Sequence, residues 1–95
     1  MEKDIIRKKI IFRGRVQGVG FRYYSVHGAE SFGITGWVEN LPDGTVAMEV
    51  QGREEDIDRL ILFLSGRTYI DITDIDAKSI PVIDDEYSFS VRESW

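Results

Sequence analysis

Between Lys8 and Arg13 the chain alternates so that Ile10 and Phe12 share one face and Lys9, Ile11 and Arg13 share the other. This is the period-two pattern of a strand. It runs into Gly14-Arg15-Val16-Gln17-Gly18-Val19-Gly20, where three glycines open backbone conformations closed to other residues. A helix is expected from Phe21, because Phe21, Tyr24, Gly28, Ala29 and Phe32 recur at helical spacing and Gly33 supplies a stop. Gly28 inside that helix costs about 1 kcal/mol relative to Ala, which points to a close approach, expected here to be against a sheet.

Residues 34–40 read as a second strand, Leu41-Pro42-Asp43-Gly44 as a turn, and residues 45–51 as a third strand with Val46, Met48 and Val50 on one face. Glu54, Glu55 and Asp56 then complement the dipole of a second helix whose apolar stripe is Ile57, Leu60, Ile61 and Leu64, ended by Gly66. Ile70 and Ile72 alternate with Asp71 and Thr73, but the phase slips before Ile75 and Ala77, so a bulge is expected in the fourth strand. Tyr87, Phe89 and Val91 alternate again after a turn at Asp84-Asp85. The order strand, helix, strand, strand, helix, strand, with an extra C-terminal strand, is the split βαβ or ferredoxin-like arrangement, an α+β fold with an antiparallel sheet and two helices on one face. That fold hosts many functions and fixes none.

Composition narrows the choice. The chain has 95 residues, enough for one domain spanning 1–95, with 42% hydrophobic and 31% charged residues and no biased tract. There is no cysteine, which excludes disulfides, thiolate catalysis and cysteine-ligated metals. No segment approaches the roughly 20 apolar residues that span a bilayer, and the first residues lack a signal-like apolar stretch, so a soluble, cytoplasmic protein with no membrane contact is expected. Net charge is −5, yet residues 1–22 hold Lys3, Arg7, Lys8, Lys9, Arg13, Arg15 and Arg22 against only Glu2 and Asp4. A positive segment on an acidic body attracts a small anion while the body repels a long polyanion, which argues against nucleic acid. Lys8, Lys9 and Arg13 are read as solvating the outer side of the first strand.

The loop between the first strand and the first helix is the place for chemistry. Its backbone N–H groups can converge on a phosphate at a helix N-terminus, and the Arg22 guanidinium can hold two phosphate oxygens at once. Spacing alone leaves open a tight connection whose glycines serve only packing. It is not a nucleotide loop of either common kind: Tyr23 takes the last glycine position of G-x-G-x-x-G read from Gly18, and no Gly-Lys-Ser/Thr follows Gly14. Asn40 before Leu-Pro-Asp-Gly is equally readable as a strand-end residue bonding its own turn. The lone histidine, His27, is taken as a surface residue and Trp37 as a packing residue.

The wording of the chain goes further than its spacing. Gly14-Arg15-Val16-Gln17-Gly18-Val19-Gly20-Phe21-Arg22 closely resembles one signature of the acylphosphatase family, and Gly36-Trp37-Val38-Glu39-Asn40-Leu41-Pro42-Asp43-Gly44-Thr45-Val46 resembles its other signature at the usual distance. The resemblance is dense from Lys8 to Gly52 and thins over residues 67–86, where the family's proline-rich turn after the second helix is lacking. It implies that Arg22 binds the substrate phosphate, that Asn40 orients the attacking water, and that Arg15, Val16, Gln17, Gly18, Val19, Gly20 and Phe21 form the surrounding phosphate cradle. The implied activity is hydrolysis of the carboxyl-phosphate anhydride of small acyl phosphates by a monomer needing no cofactor or metal. The alternative is a binding module of the same fold that retains an anion or acyl phosphate without turning it over.

Overall fold

The computed structural model describes residues 4–93. The elements run β1 (Ile6–Arg15), α1 (Phe21–Phe32), β2 (Thr35–Asn40), β3 (Val46–Gly52), α2 (Glu54–Ser65), β4 (Asp71–Ile80) and β5 (Phe89–Arg92). The strands form one sheet in the order β4-β1-β3-β2-β5. Pairing β1 with β3 sets Ile10 opposite Met48 and Phe12 opposite Val46, and pairing β2 with β3 sets Val38 opposite Met48. Period-two alternation then puts Ile10, Phe12, Val38, Val46, Met48 and Val50 on one face. That face and the buried stripes of the two helices, Phe21 and Ala29 of α1 with Ile57, Leu60 and Leu64 of α2, close the core. Each such large side chain contributes about 1.5–3 kcal/mol by leaving water.

The expected bulge is present. Arg13 lies opposite Asp74 but Gly14 lies opposite Ile72, so Thr73 is the extra residue of β4. Gly14 is required there: its φ is +123°, and an added Cβ would overlap the Asp71 carbonyl oxygen. β1 is longer than its hydrophobic pattern suggests, reaching back to Ile6 and forward through Gly14 and Arg15. Gly28 is also a close approach, but to the other helix rather than to the sheet. A Cβ on Gly28 would lie 2.7 Å from Leu60 Cδ1 and 2.9 Å from Phe63 Cδ2 of α2.

The C-terminal strand departs from a wholly antiparallel sheet. β5 runs parallel to β2, with Phe89 beside Gly36 and Val91 beside Val38. Because β1 and β2 are both antiparallel to β3, the strands β1, β2 and β5 point the same way, and their carboxyl ends meet at one edge of the molecule. The connection to β5 crosses the outer face of the sheet and is tied to it. Gln51 accepts from the Ile83 N–H at 2.8 Å and donates to the Ile83 carbonyl at 2.7 Å. Arg7, only 1% exposed, donates to Glu86 at 2.7 and 3.2 Å, to Glu49 at 2.9 Å and to Gln51 at 3.1 Å.

Candidate active site

The edge where β1, β2 and β5 end is also where α1 begins. Helix α1 starts on Gly20 in the left-handed conformation, with φ +83°, and no side chain caps it. Its first helical bond runs from the Tyr24 N–H to the Gly20 carbonyl at 3.0 Å. The preceding N–H groups of the first turn therefore have no acceptor within the helix. Helix α2 is likewise without a side-chain cap but carries Glu54, Glu55 and Asp56 in its first turn, whose charge complements its dipole, whereas the first turn of α1 contains no acid. The positive end of α1 is thus left for an anion from outside.

Phe21 fixes this end in place. It is buried, and its ring packs on Phe12 of β1 with centroids 5.0 Å apart. Its truncation to Ala is worth about 3–5 kcal/mol and would loosen the helix start together with the next residue, Arg22. The β2–β3 turn is fixed separately. Asp43 accepts hydrogen bonds from the Thr45 hydroxyl at 2.6 Å and the Thr45 N–H at 3.0 Å, and these, the hydroxyl first, hold its carboxyl below the usual range. Gln17 then joins the two motifs: its amide donates to the carbonyls of Leu41 and Thr45, both at 2.8 Å.

Between them lies a cavity of about 410 Å³ lined by Val16, Gly18, Gly20, Phe21, Arg22, Tyr23, Asn40, Val91 and Glu93. Arg22 and Asn40, 18 positions apart in sequence, line this same cavity. Asn40 sits opposite Val46, in the row that contains Phe12, and so on the face of the sheet that carries the helices. Of the remaining cradle residues, Val16, Gly18, Gly20 and Phe21 also line the cavity. Arg15, Gln17 and Val19 do not: Arg15 ends β1 beside Asp71, the Gln17 side chain is turned to the β2–β3 turn, and Val19 packs on the core. Among the described residues Arg22 has no carboxylate partner, and no group of three or more His, Cys, Asp or Glu side chains is placed to hold a metal ion.

Asp43 and Trp37 serve structure, as expected, Asp43 in the turn and Trp37 buried beneath the Arg92 guanidinium, which lies 4.0 Å from its ring centroid. His27 is exposed and rests on Tyr23, their centroids 4.4 Å apart. Three lining residues escaped the sequence reading. Tyr23 follows Arg22 directly and was available from the motif. Val91 and Glu93 reach the cavity only because β5 pairs parallel with β2, a long-range event that no local pattern announces.

The acylphosphatase family model matches residues 8–91. The chain belongs to the acylphosphatase family. It is 40% identical over 89 residues to an acylphosphatase of Clostridium beijerinckii, a match covering 93% of this chain and 99% of that one. An acylphosphatase of Bifidobacterium longum is 37% identical over 92 residues, 95% of each chain. The crystal structure of acylphosphatase from Bacillus subtilis superposes with a TM-score of 0.83 at 32% identity, covering 92% of this chain and 98% of that one. Like those proteins this one is a hydrolase of acyl phosphates, and it shares their ferredoxin-like α+β fold. No helix among the described residues is long and apolar enough to cross a membrane.

Proposed function

We propose that Arg22 and the N–H groups at the start of α1 hold the phosphate of a small acyl phosphate, that Asn40 orients the attacking water, and that the reaction proceeds in a cytoplasmic monomer without a metal. The observation carrying this reading is the cavity that unites Arg22 and Asn40 at an uncapped, acid-free helix N-terminus. The planar guanidinium suits a phosphoryl group that it can grip through two oxygens, and the first-turn N–H groups add fixed dipoles that need no rearrangement in the transition state.

The chemistry explains how so small a site suffices. Water attacks phosphorus, the bond from phosphorus to the bridging acyl oxygen breaks, and its electron pair leaves on a carboxylate. A carboxyl group has a pKa near 4, so this leaving group departs without a proton and a general acid is dispensable. The proton lost by water passes to a phosphate oxygen of the substrate. What the protein supplies is charge neutralisation, in-line positioning and an aimed water, and an arginine, backbone amides and an asparagine are enough for that. Neither general base nor Lewis acid is called for by the bond that breaks. The absence of cysteine and an acidic body fit the proposed compartment and substrate size.

The test is turnover of benzoyl phosphate by the purified protein in the presence of EDTA, with Asn40→Ala beside it. Activity should survive the chelator, and Asn40→Ala should lower kcat by roughly 10²- to 10³-fold with a smaller change in KM. A folded wild-type protein that binds benzoyl phosphate without hydrolysing it would instead mark an anion-binding module.

A further inference from the structure

The phosphate accounts for only part of the cavity. On that reading Val16, Gly18, Gly20, Phe21 and Arg22 belong to the phosphate end, and Asn40 to the water. Tyr23, Val91 and Glu93 complete the lining and have no task in that scheme. Tyr23 is 62% exposed and Val91 39% exposed, so two large apolar side chains stand open at the wall of a polar site. Glu93 lies two residues beyond Val91, and the two reach the same cavity from the end of β5.

Among the described residues, the charges lining the site are one guanidinium, Arg22, and one carboxylate, Glu93. Among the described residues no second cation is within the lining. Arg92, although next to Glu93, is stacked on Trp37 on the opposite face of the sheet. Arg15 stands outside the lining at the end of β1. A substrate phosphate engages Arg22; a further anion on the acyl group would meet Glu93 and find nothing to neutralise it. In a cleft this open to water, like charges a few ångströms apart discriminate modestly, and less as salt rises.

We propose that Tyr23, Val91 and Glu93 form the acyl-reading side of the cavity and select acyl phosphates whose acyl group is uncharged and apolar over those whose acyl group carries a second negative charge. This rests on the assignment of Arg22 to the phosphate and deepens it. Tyr23 and Val91 supply a surface for an aromatic or aliphatic acyl group, and Glu93 disfavours a carboxylate or second phosphate. The selection is a difference between two affinities, one raised by apolar contact and the other lowered by repulsion.

The experiment compares kcat/KM for benzoyl phosphate and 4-carboxybenzoyl phosphate, which differ by one carboxylate, in wild type, Glu93→Gln and Glu93→Lys. Wild type should prefer benzoyl phosphate by roughly 3- to 10-fold at low salt, with the preference shrinking as salt rises. Glu93→Gln should narrow the ratio and Glu93→Lys should invert it. A ratio that is the same in all three proteins, with turnover intact, overturns the acyl-reading role and leaves the hydrolase standing. No turnover of either substrate by folded wild type overturns the hydrolase reading itself.

Discussion

Two arginines, 15 positions apart, show how differently one residue type can be used at opposite ends of this sheet. Arg7 is buried on the outer face and fully engaged by Glu49, Gln51 and Glu86. Arg22 is half-buried at the first turn of α1 with no carboxylate partner among the described residues. A guanidinium surrounded by carboxylates spends its hydrogen-bonding capacity on the fold, and one beside unpaired helix N–H groups has it available, in the proposed function for the phosphate. Position near the N-terminus and positive charge are common to both. Only their partners separate structure from function.

The sharpest way to break the comparison is Arg22→Ala. On the proposed reading, loss of a bidentate guanidinium at the phosphoryl group is expected to lower kcat/KM by at least roughly 10³-fold, affecting binding and rate together. Stability should move by no more than about 0.5 kcal/mol, since the side chain anchors nothing in the fold. Urea unfolding beside steady-state kinetics reads both. A variant that unfolds readily but turns over normally would reverse the assignment.

Arg7→Met should do the opposite. Removing one partner of a buried ion cluster leaves Glu49 and Glu86 without their counter-charge, which typically costs 3–5 kcal/mol. Both carboxylates keep about a fifth of their side-chain exposure, so the lower end, about 3 kcal/mol, is expected. In the folded fraction kcat/KM should change by less than about tenfold, because Arg22 and Asn40 are held by α1, Phe12 and the Gln17 link instead. The denaturant midpoint measures the first effect and benzoyl phosphate turnover the second.

This contrast also explains which parts of the molecule can be read from the chain alone. Helices, the first three strands and the bulge at Thr73 are local or nearly local, and their periodicities survive intact. Arg22 and Asn40 are marked by two worded motifs and converge in one cavity. Arg7 is invisible because its partners lie 42, 44 and 79 positions away. The strand that contains it, which starts at Ile6, also looks from its pattern as if it begins two residues later, at Lys8. Residues 81–86 have no period, so nothing local shows that this connection crosses the sheet and delivers β5 parallel to β2. That delivery places Val91 and Glu93 at the site. Gly28 teaches the same lesson in a milder form: its small size was legible as a close approach, but the sequence does not say that α2 is what approaches.

The smallest expected effect lies in the acid limb of stability, and it separates the two ends by pH alone. Burial pushes the Glu86 carboxyl up, but hydrogen bonds from Arg7 and Thr35 and the positive charges of Arg7 and Arg92 outweigh it and leave the pKa below the ordinary 4.5. The unfolded chain therefore takes up a proton at Glu86 at higher pH than the folded protein does. Its contribution is fully present above about 4.5 and is lost as pH falls from there through the lower folded value. Glu86→Gln removes this group's titration, so the variant should start less stable at neutral pH and lose less stability than wild type between pH 5 and pH 3. Arg22→Ala should parallel wild type over that same range, because its guanidinium is not tied to a carboxylate. Midpoints of urea unfolding at several pH values give the two slopes, and equal slopes for wild type and Glu86→Gln would show that the Arg7 cluster does not set the acid limit of the fold.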